Sequence, residues 1–270
     1  MFTMAKRMLH AITFLAPNML PVYRFMIEYL GSKLGCEIEL TVGSDYKEIF
    51  QTDLAFICGL PYILYTHPRH FASPIEALVA PVLQGERFLN RPIYFSDVIV
   101  HRDSPFHSFA DLRGCSWAYN ESQSQSGYGI TRYWLAKMGE TKGFFGKVVE
   151  AGFHQKAIRM VRTREVDAAA IDVQVLAVEL RKHPLLTEHL RVIDSLGPST
   201  IQPLAAASHL SKALKQDIQA IFVELHLDPT ARAYLDRGFI DHFVSVCDGD
   251  YNDIRDMLTA CEQAGYLSLK

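Results

Sequence analysis

The sequence has no surplus of basic charge. Its 270 residues carry 27 Lys+Arg against 30 Asp+Glu, a net charge of −3. That excludes a broad nucleic-acid surface, which needs clustered cations, and leaves room only for a small local anion site. No apolar run reaches the length of a membrane-spanning helix. The five cysteines, Cys36, Cys58, Cys115, Cys247 and Cys261, form no CxxC pair, so zinc and thioredoxin-like chemistry are not expected. They read as structural free thiols, Cys36 and Cys58 lying in or beside apolar segments. There is no GxSxG, HExxH, P-loop or GxGxxG pattern, and no internal repeat or low-complexity segment. His67, His70, His101 and His107 are scattered without ligand spacing, so neither a metal nor a cofactor is expected. The basic run Arg159–Arg164 reads as one solvated helix face.

What is present is a chain that can build a large core: 49% hydrophobic and 21% charged residues. Short apolar runs alternate with amphipathic stretches, the pattern of an α/β protein. Strands are predicted over Leu9–Ala16, Glu37–Val42, Asp53–Cys58, Ala77–Leu83, Tyr94–His101 and Cys115–Tyr119. Further strands are predicted over Lys147–Ala151, Val166–Ile171, Arg191–Ser195 and Leu204–Ser208, with Gly197–Pro203 as a breaker-rich connection. Helices are predicted over Tyr23–Lys33, Tyr128–Lys137, Gln155–Thr163, Val173–Lys182, Ser211–Glu224, Thr230–Arg237 and Tyr251–Ala264, with Ser211 and Asp250 as N-caps. Residues 1–20 set Lys6 and Arg7 before a short apolar run, but His10 interrupts it and Pro17 ends it without a cleavage site. The segment is expected to be a first strand rather than an export signal.

Gln123-Ser124-Gln125-Ser126-Gly127 lies between a strand and a helix. Short hydroxyls and backbone N–H groups at a helix start suit either a polar cap or an oxyanion held by Ser124, Ser126 and the backbone. His154 follows another predicted strand, at the end where parallel sheets bind ligands. It is either a structural histidine or a hydrogen-bond donor to an anion. Asp172 either caps the next helix or faces a ligand donor. Tyr62 and Tyr94 are either core residues or walls that sandwich a small ligand.

Taken in collinear order, these pieces resemble the PhnD-like substrate-binding proteins of phosphonate, phosphite and phosphate-ester ABC importers. The resemblance runs from about Leu9 to about Leu258. It is carried by Ala16-Pro17-Asn18, Asp53–Phe56, Gly59–Tyr62, Tyr94 with Val98–Ser104, Phe109–Gly114, Ser124–Tyr128, Gly152–His154, Glu165–Ala170, Leu227-Asp228-Pro229 and Asp250-Tyr251. It implies a two-lobed type 2 periplasmic-binding-protein fold, with two α/β domains joined by a hinge and a ligand cleft between them. The expected lobes are residues 1–96 with 200–270, and 97–199. It further implies a non-catalytic binder that closes on a small anion. Ser124, Gln125, Ser126 and the Gly127 backbone would hold the oxyanion, His154 would bond it from the same lobe, and Tyr62 and Tyr94 would approach from the hinge and the opposite lobe. Asp172 and Gln202 complete the expected ligand set.

Three departures stand out. The family motif usually reads Asn-Ser-Thr-Ser-Gly, and here Gln123 and Gln125 replace Asn and Thr; Gln125 either narrows the pocket or adds an amide donor. Gln202-Pro203 stands where aminoalkylphosphonate binders carry Asp before Pro, which weakens the case for an amine-bearing ligand. No export signal is read, which leaves the compartment between the cell envelope that the family implies and the cytoplasm. The expected partners are a small anionic ligand and, for an exported protein, an ABC permease, the chain itself being a monomer or weak dimer. Two alternatives stay open: a cytoplasmic enzyme on the same fold, similar to menaquinone- or thiamine-pathway enzymes, or a ligand sensor.

Overall fold

Short stretches of three to eleven residues, most of them rich in apolar side chains, settle into strands; periodic stretches between them become helices. The computed structural model describes residues 8–66 and 73–269. Lys6, Arg7, His67 and His70 lie outside them. In chain order come β1 (Met8–Thr13), α1 (Leu20–Leu34), β2 (Glu37–Val42), β3 (Leu54–Phe56), α2 (Gly59–Tyr65) and β4 (Ile75–Leu83). Then follow β5 (Ile93–His101), β6 (Ser116–Tyr119), α3 (Ile130–Lys137), β7 (Lys147–Glu150) and α4 (His154–Arg162). After these come β8 (Ala168–Asp172), α5 (Val173–Lys182), α6 (Leu186–His189) and β9 (Leu190–Thr200). The last elements are β10 (Leu204–Ala207), α7 (Lys212–Glu224), α8 (Pro229–Arg237), β11 (Ile240–Ser245) and α9 (Asn252–Gln263).

Two compact units form. Unit 1 comprises Met1–Pro92 and Ile201–Tyr251; unit 2 comprises Ile93–Thr200 and Asn252–Lys270. Unit 1 holds a six-stranded sheet ordered β11-β4-β10-β3-β1-β2. Its β1, β2 and β3 run parallel, and β10 is antiparallel to both β3 and β4. Unit 2 holds a five-stranded sheet ordered β7-β6-β8-β5-β9, with β6, β7 and β8 parallel and β5 antiparallel to β8 and β9. Its core gathers Phe109, Trp117, Phe144 and Phe145, with the Trp117 and Phe145 rings stacked at 4.6 Å.

The unit boundaries differ from the expected lobes at residues 93–96, at Thr200 and at residues 252–270. Tyr94 belongs to unit 2, because β5 pairs along its length with β8 and β9. Residues 252–270, expected with the first lobe, also join unit 2. There α9 packs on α3, buries Ile254 and Cys261, and Asp253 Oδ2 accepts the Thr200 N–H at 2.7 Å. The chain therefore crosses between units three times, not twice.

Other expectations need smaller corrections. The predicted connection from Gly197 to Pro203 is in part strand, since β9 continues to Thr200. Pro198 is tolerated there because β9 is an edge strand whose register with β5 shifts nearby, so no ladder N–H is demanded of it. Gly197, at φ +138°, takes a backbone conformation that side-chain-bearing residues avoid. The strand β11 was not expected, its short mixed sequence IDHFVS giving a weak alternation at a sheet edge. Ser211 does cap α7, accepting the Leu214 N–H, whereas Asp250 accepts the Cys247 N–H in the turn that precedes α9. All five thiols are free; Cys261 is buried, Cys36, Cys58 and Cys115 are half-buried, and Cys247 is exposed.

Candidate functional site

In unit 2 three neighbouring parallel strands end at one edge of the sheet. β6 ends at Tyr119, β7 at Glu150 and β8 at Asp172. Tyr119 is in register with Glu150, and Asp172 with Ser96 on β5. Each strand hands over to a helix, so first-turn N–H groups gather at this edge. Two main-chain bonds hold the first two connections together: the Ala151 N–H donates to Tyr119 O and the Gly152 N–H to Asn120 O, both at 2.7 Å. Gly152, at φ +89°, makes the reversal that delivers His154 to the first turn of α4.

The connection after β6 winds into a wide helical turn, Gln125–Gly129, that leads into α3. Ile130 N–H returns to Gln125 O, one residue further than in an α-helix. Ser124 caps this turn, its Oγ accepting the Gly127 N–H at 3.2 Å. Gly127 cannot carry a side chain here: an added Cβ would lie 2.0 Å from Asn120 Oδ1. Ser124, Ser126 and His154 are buried and joined in one chain. Ser124 Oγ lies 3.2 Å from Ser126 Oγ, which lies 2.8 Å from His154 Nε2.

Burial holds the His154 imidazole well below its ordinary value, to about 4, so it is neutral at pH 7. Two hydroxyl protons and one ring proton then serve the two contacts in the chain. One donor is left over. It sits on Nδ1 when Nε2 accepts from Ser126, or on a serine hydroxyl when Nε2 donates. Three buried atoms along this edge have no hydrogen-bond partner among the described residues: His154 Nδ1, Asn120 Oδ1 and Ser96 Oγ. Buried polar atoms are nearly always satisfied, so three together set this edge apart. The connections 120–129 and 151–153 contain no Lys or Arg. An anion held here would be held by neutral dipoles and N–H groups.

The other expected residues fall as follows. Asp172 is a helix cap: its Oδ1 accepts the Gln174 N–H at 2.8 Å and the Val175 N–H at 3.3 Å. Gln125 is buried and turned into unit 2, its Nε2 donating to Ser199 Oγ and Met257 Sδ, each at 3.3 Å. Tyr94 is buried at the start of β5, in register with Ser199, on the same edge of the sheet as Asp172. Tyr62 and Gln202 lie in unit 1. The Tyr62 side chain is fully buried; its hydroxyl accepts the Ala77 N–H at 3.2 Å and donates to Asp248 at 3.1 Å. Gln202 is buried just before β10. Asn120, Ser96, Ser199 and Met257 were not singled out in the sequence. Asn120 carries the one readable signal, standing directly after a strand that runs into the Ser/Gln loop. Among the described residues, no group of three or more His, Cys, Asp or Glu side chains is placed to hold a metal.

Residues 13–251 match the family described as the periplasmic substrate-binding protein of phosphonate ABC transporters. The chain belongs to this family. It is a family of binding components, not of enzymes. The phosphonates-binding periplasmic protein of Escherichia coli K12 is 24% identical over 234 residues, covering 82% of this chain and 66% of that protein. The chain thus spans just under two thirds of that relative's length. Two crystal structures show the same fold. A binding-protein component of an ABC phosphonate transporter from Pseudomonas aeruginosa superposes with TM-score 0.81 at 17% identity, covering 97% of this chain and 88% of the other. PhnD1 from Prochlorococcus marinus, in complex with methylphosphonate, gives 0.78 at 16%, covering 95% and 98%. The architecture is that of the type 2 periplasmic binding proteins.

Proposed function

We propose that this protein binds a small phosphonate-type oxyanion, without chemical change, as the substrate-binding component of an ABC importer. The observation that carries this reading is the buried Ser124–Ser126–His154 chain with its one spare donor, beside polar atoms that have no internal partner. A phosphonate oxygen accepts from that donor and from N–H groups of the Gln125–Gly129 turn. Neutral donors suffice because burial strengthens each bond. His154 acts as a neutral group, so the anion is recognised by hydrogen bonds rather than by an ion pair. The proposed ligand set in unit 2 is Ser124, Ser126, His154 and backbone N–H groups of the Gln125–Gly129 turn. Gln125 and Asp172 support it through their internal bonds. The ABC permease that receives the ligand is the partner this reading requires.

The test is a thermal-shift panel with methylphosphonate, phosphite, phosphate, 2-aminoethylphosphonate, sulfate and acetate. A ligand at a hundred times its Kd stabilises the fold by about 2.7 kcal/mol. The expected result is a selective shift with phosphorus oxyanions that Ser126→Ala and His154→Ala both abolish. No shift with any oxyanion at millimolar concentration overturns the reading.

A further inference from the structure

Away from the candidate site, unit 2 contains a cavity of about 550 Å³ between the outer parts of α4, α5 and the short α6. This volume lies within the range of small-molecule sites. Arg159 and Arg162 of α4 and Lys182 of α5 stand on its walls. None of the three forms an ion pair among the described residues. Cations near helix C-termini complement the helix dipole, and this accounts for each one singly. It does not account for their convergence on one concavity. The lining holds one acid, Glu179, which is buried and lies 3.9 Å from His183. The lining therefore carries net positive charge.

Two further features shape what could enter. Leu185 of the lining is 69% exposed and stands beside Pro184, so the cavity has an apolar surface as well as cations. Gln155, also in the lining, has both carboxamide atoms buried without a hydrogen-bond partner among the described residues. It offers an NH2 donor group and a carbonyl acceptor beside the apolar surface.

We infer that this cavity is a second ligand site, distinct from the oxyanion loop, for a small organic anion with an apolar body, such as an aryl phosphate or aryl sulfonate. Its charged group pairs with Arg159, Arg162 and Lys182 while its apolar body covers Leu185 and Pro184. The basic run in the sequence then has a role beyond solvation. This inference does not depend on the identity of the ligand at the first site.

The probe is anilinonaphthalene sulfonate, followed by its fluorescence on the full chain, with neutral phenylnaphthylamine as control. The expected result is saturable binding of the sulfonate, weak binding of the neutral probe, and competition by phenyl phosphate. The Arg159→Gln/Arg162→Gln double variant, exposed and free of internal ion pairs, should fold normally and bind about tenfold more weakly, each surface charge contributing up to several-fold. Lys182→Gln alone should weaken binding a few-fold, and methylphosphonate should not displace the probe. Unchanged binding in the double variant, equal binding of the neutral probe, or displacement by methylphosphonate overturns the inference.

Discussion

The two units share a plan and treat their polar groups in opposite ways. Both set parallel strands side by side and follow them with helices. In unit 1 the buried hydroxyls are tied internally. Tyr62 bridges Ala77 and Asp248, Tyr251 donates to Ile201 O at 3.1 Å, and Thr13 Oγ1 accepts the Leu15 N–H at 3.2 Å. In unit 2 the corresponding edge leaves Ser96, Asn120 and His154 with buried atoms unpartnered. A polar group satisfied at home stabilises its own unit. One left open costs stability and is kept where a guest repays it.

The sharpest way to break this contrast is through pH. His154 has a folded pKa of about 4 against an ordinary value of 6.5. Between those values the unfolded chain binds a proton that the folded chain refuses, so stability falls as pH drops from 6.5 towards 4 and levels off below. The full span is worth about 3 kcal/mol. Urea unfolding at pH 7 and pH 4.5 should show this loss in the wild type, and His154→Asn should lack that part of it. Equal pH dependence in both would mean that His154 titrates freely.

The next effect comes from crowding. Gly127→Ala forces a Cβ into Asn120, and overpacking of this kind costs about 1–3 kcal/mol. The variant should also lose methylphosphonate binding measured by calorimetry. Adding Asn120→Ala should restore much of the stability but not the binding. No recovery in the double variant would place the clash elsewhere.

Tyr62→Phe tests the other side of the comparison. It strands the Ala77 N–H and removes the bond to Asp248, at a cost of about 1–3 kcal/mol. Denaturant titration should show that loss, while the variant's methylphosphonate affinity stays within twofold of wild type. A large loss of affinity would make unit 1 part of recognition through this hydroxyl. The smallest effect is expected at Asp172→Ala, which removes a helix cap worth about 1 kcal/mol. Asp172→Asn, which still accepts from the helix, should recover most of it.

Much of this was legible in the chain. The strands Glu37–Val42 and the helix Val173–Lys182 follow directly from local periodicity and breakers. Ser124, Ser126 and His154 were legible as hydrogen-bonding types placed after short apolar runs, and the structure joins them in one chain. The choice between cap and ligand group for Asp172 was not legible, since it depends on where the next helix's N–H groups point. The membership of Tyr94 and of α9 was not legible either. A strand's partners and a helix's packing face are decided by residues more than a hundred positions away.

By itself the sequence determined the alternation of strands and helices, the placing of serines and histidine after strands, and the absence of a cation from their loops. Those features rest on local sterics, periodicity and residue chemistry. Only the tertiary structure decided which polar atoms are answered. Tyr62 meets Asp248, and Gln125 meets Ser199 and Met257, across long stretches of chain. Whether a buried donor finds its acceptor is a property of packing, because a hydrogen bond forms only within about 3 Å and at the right angle.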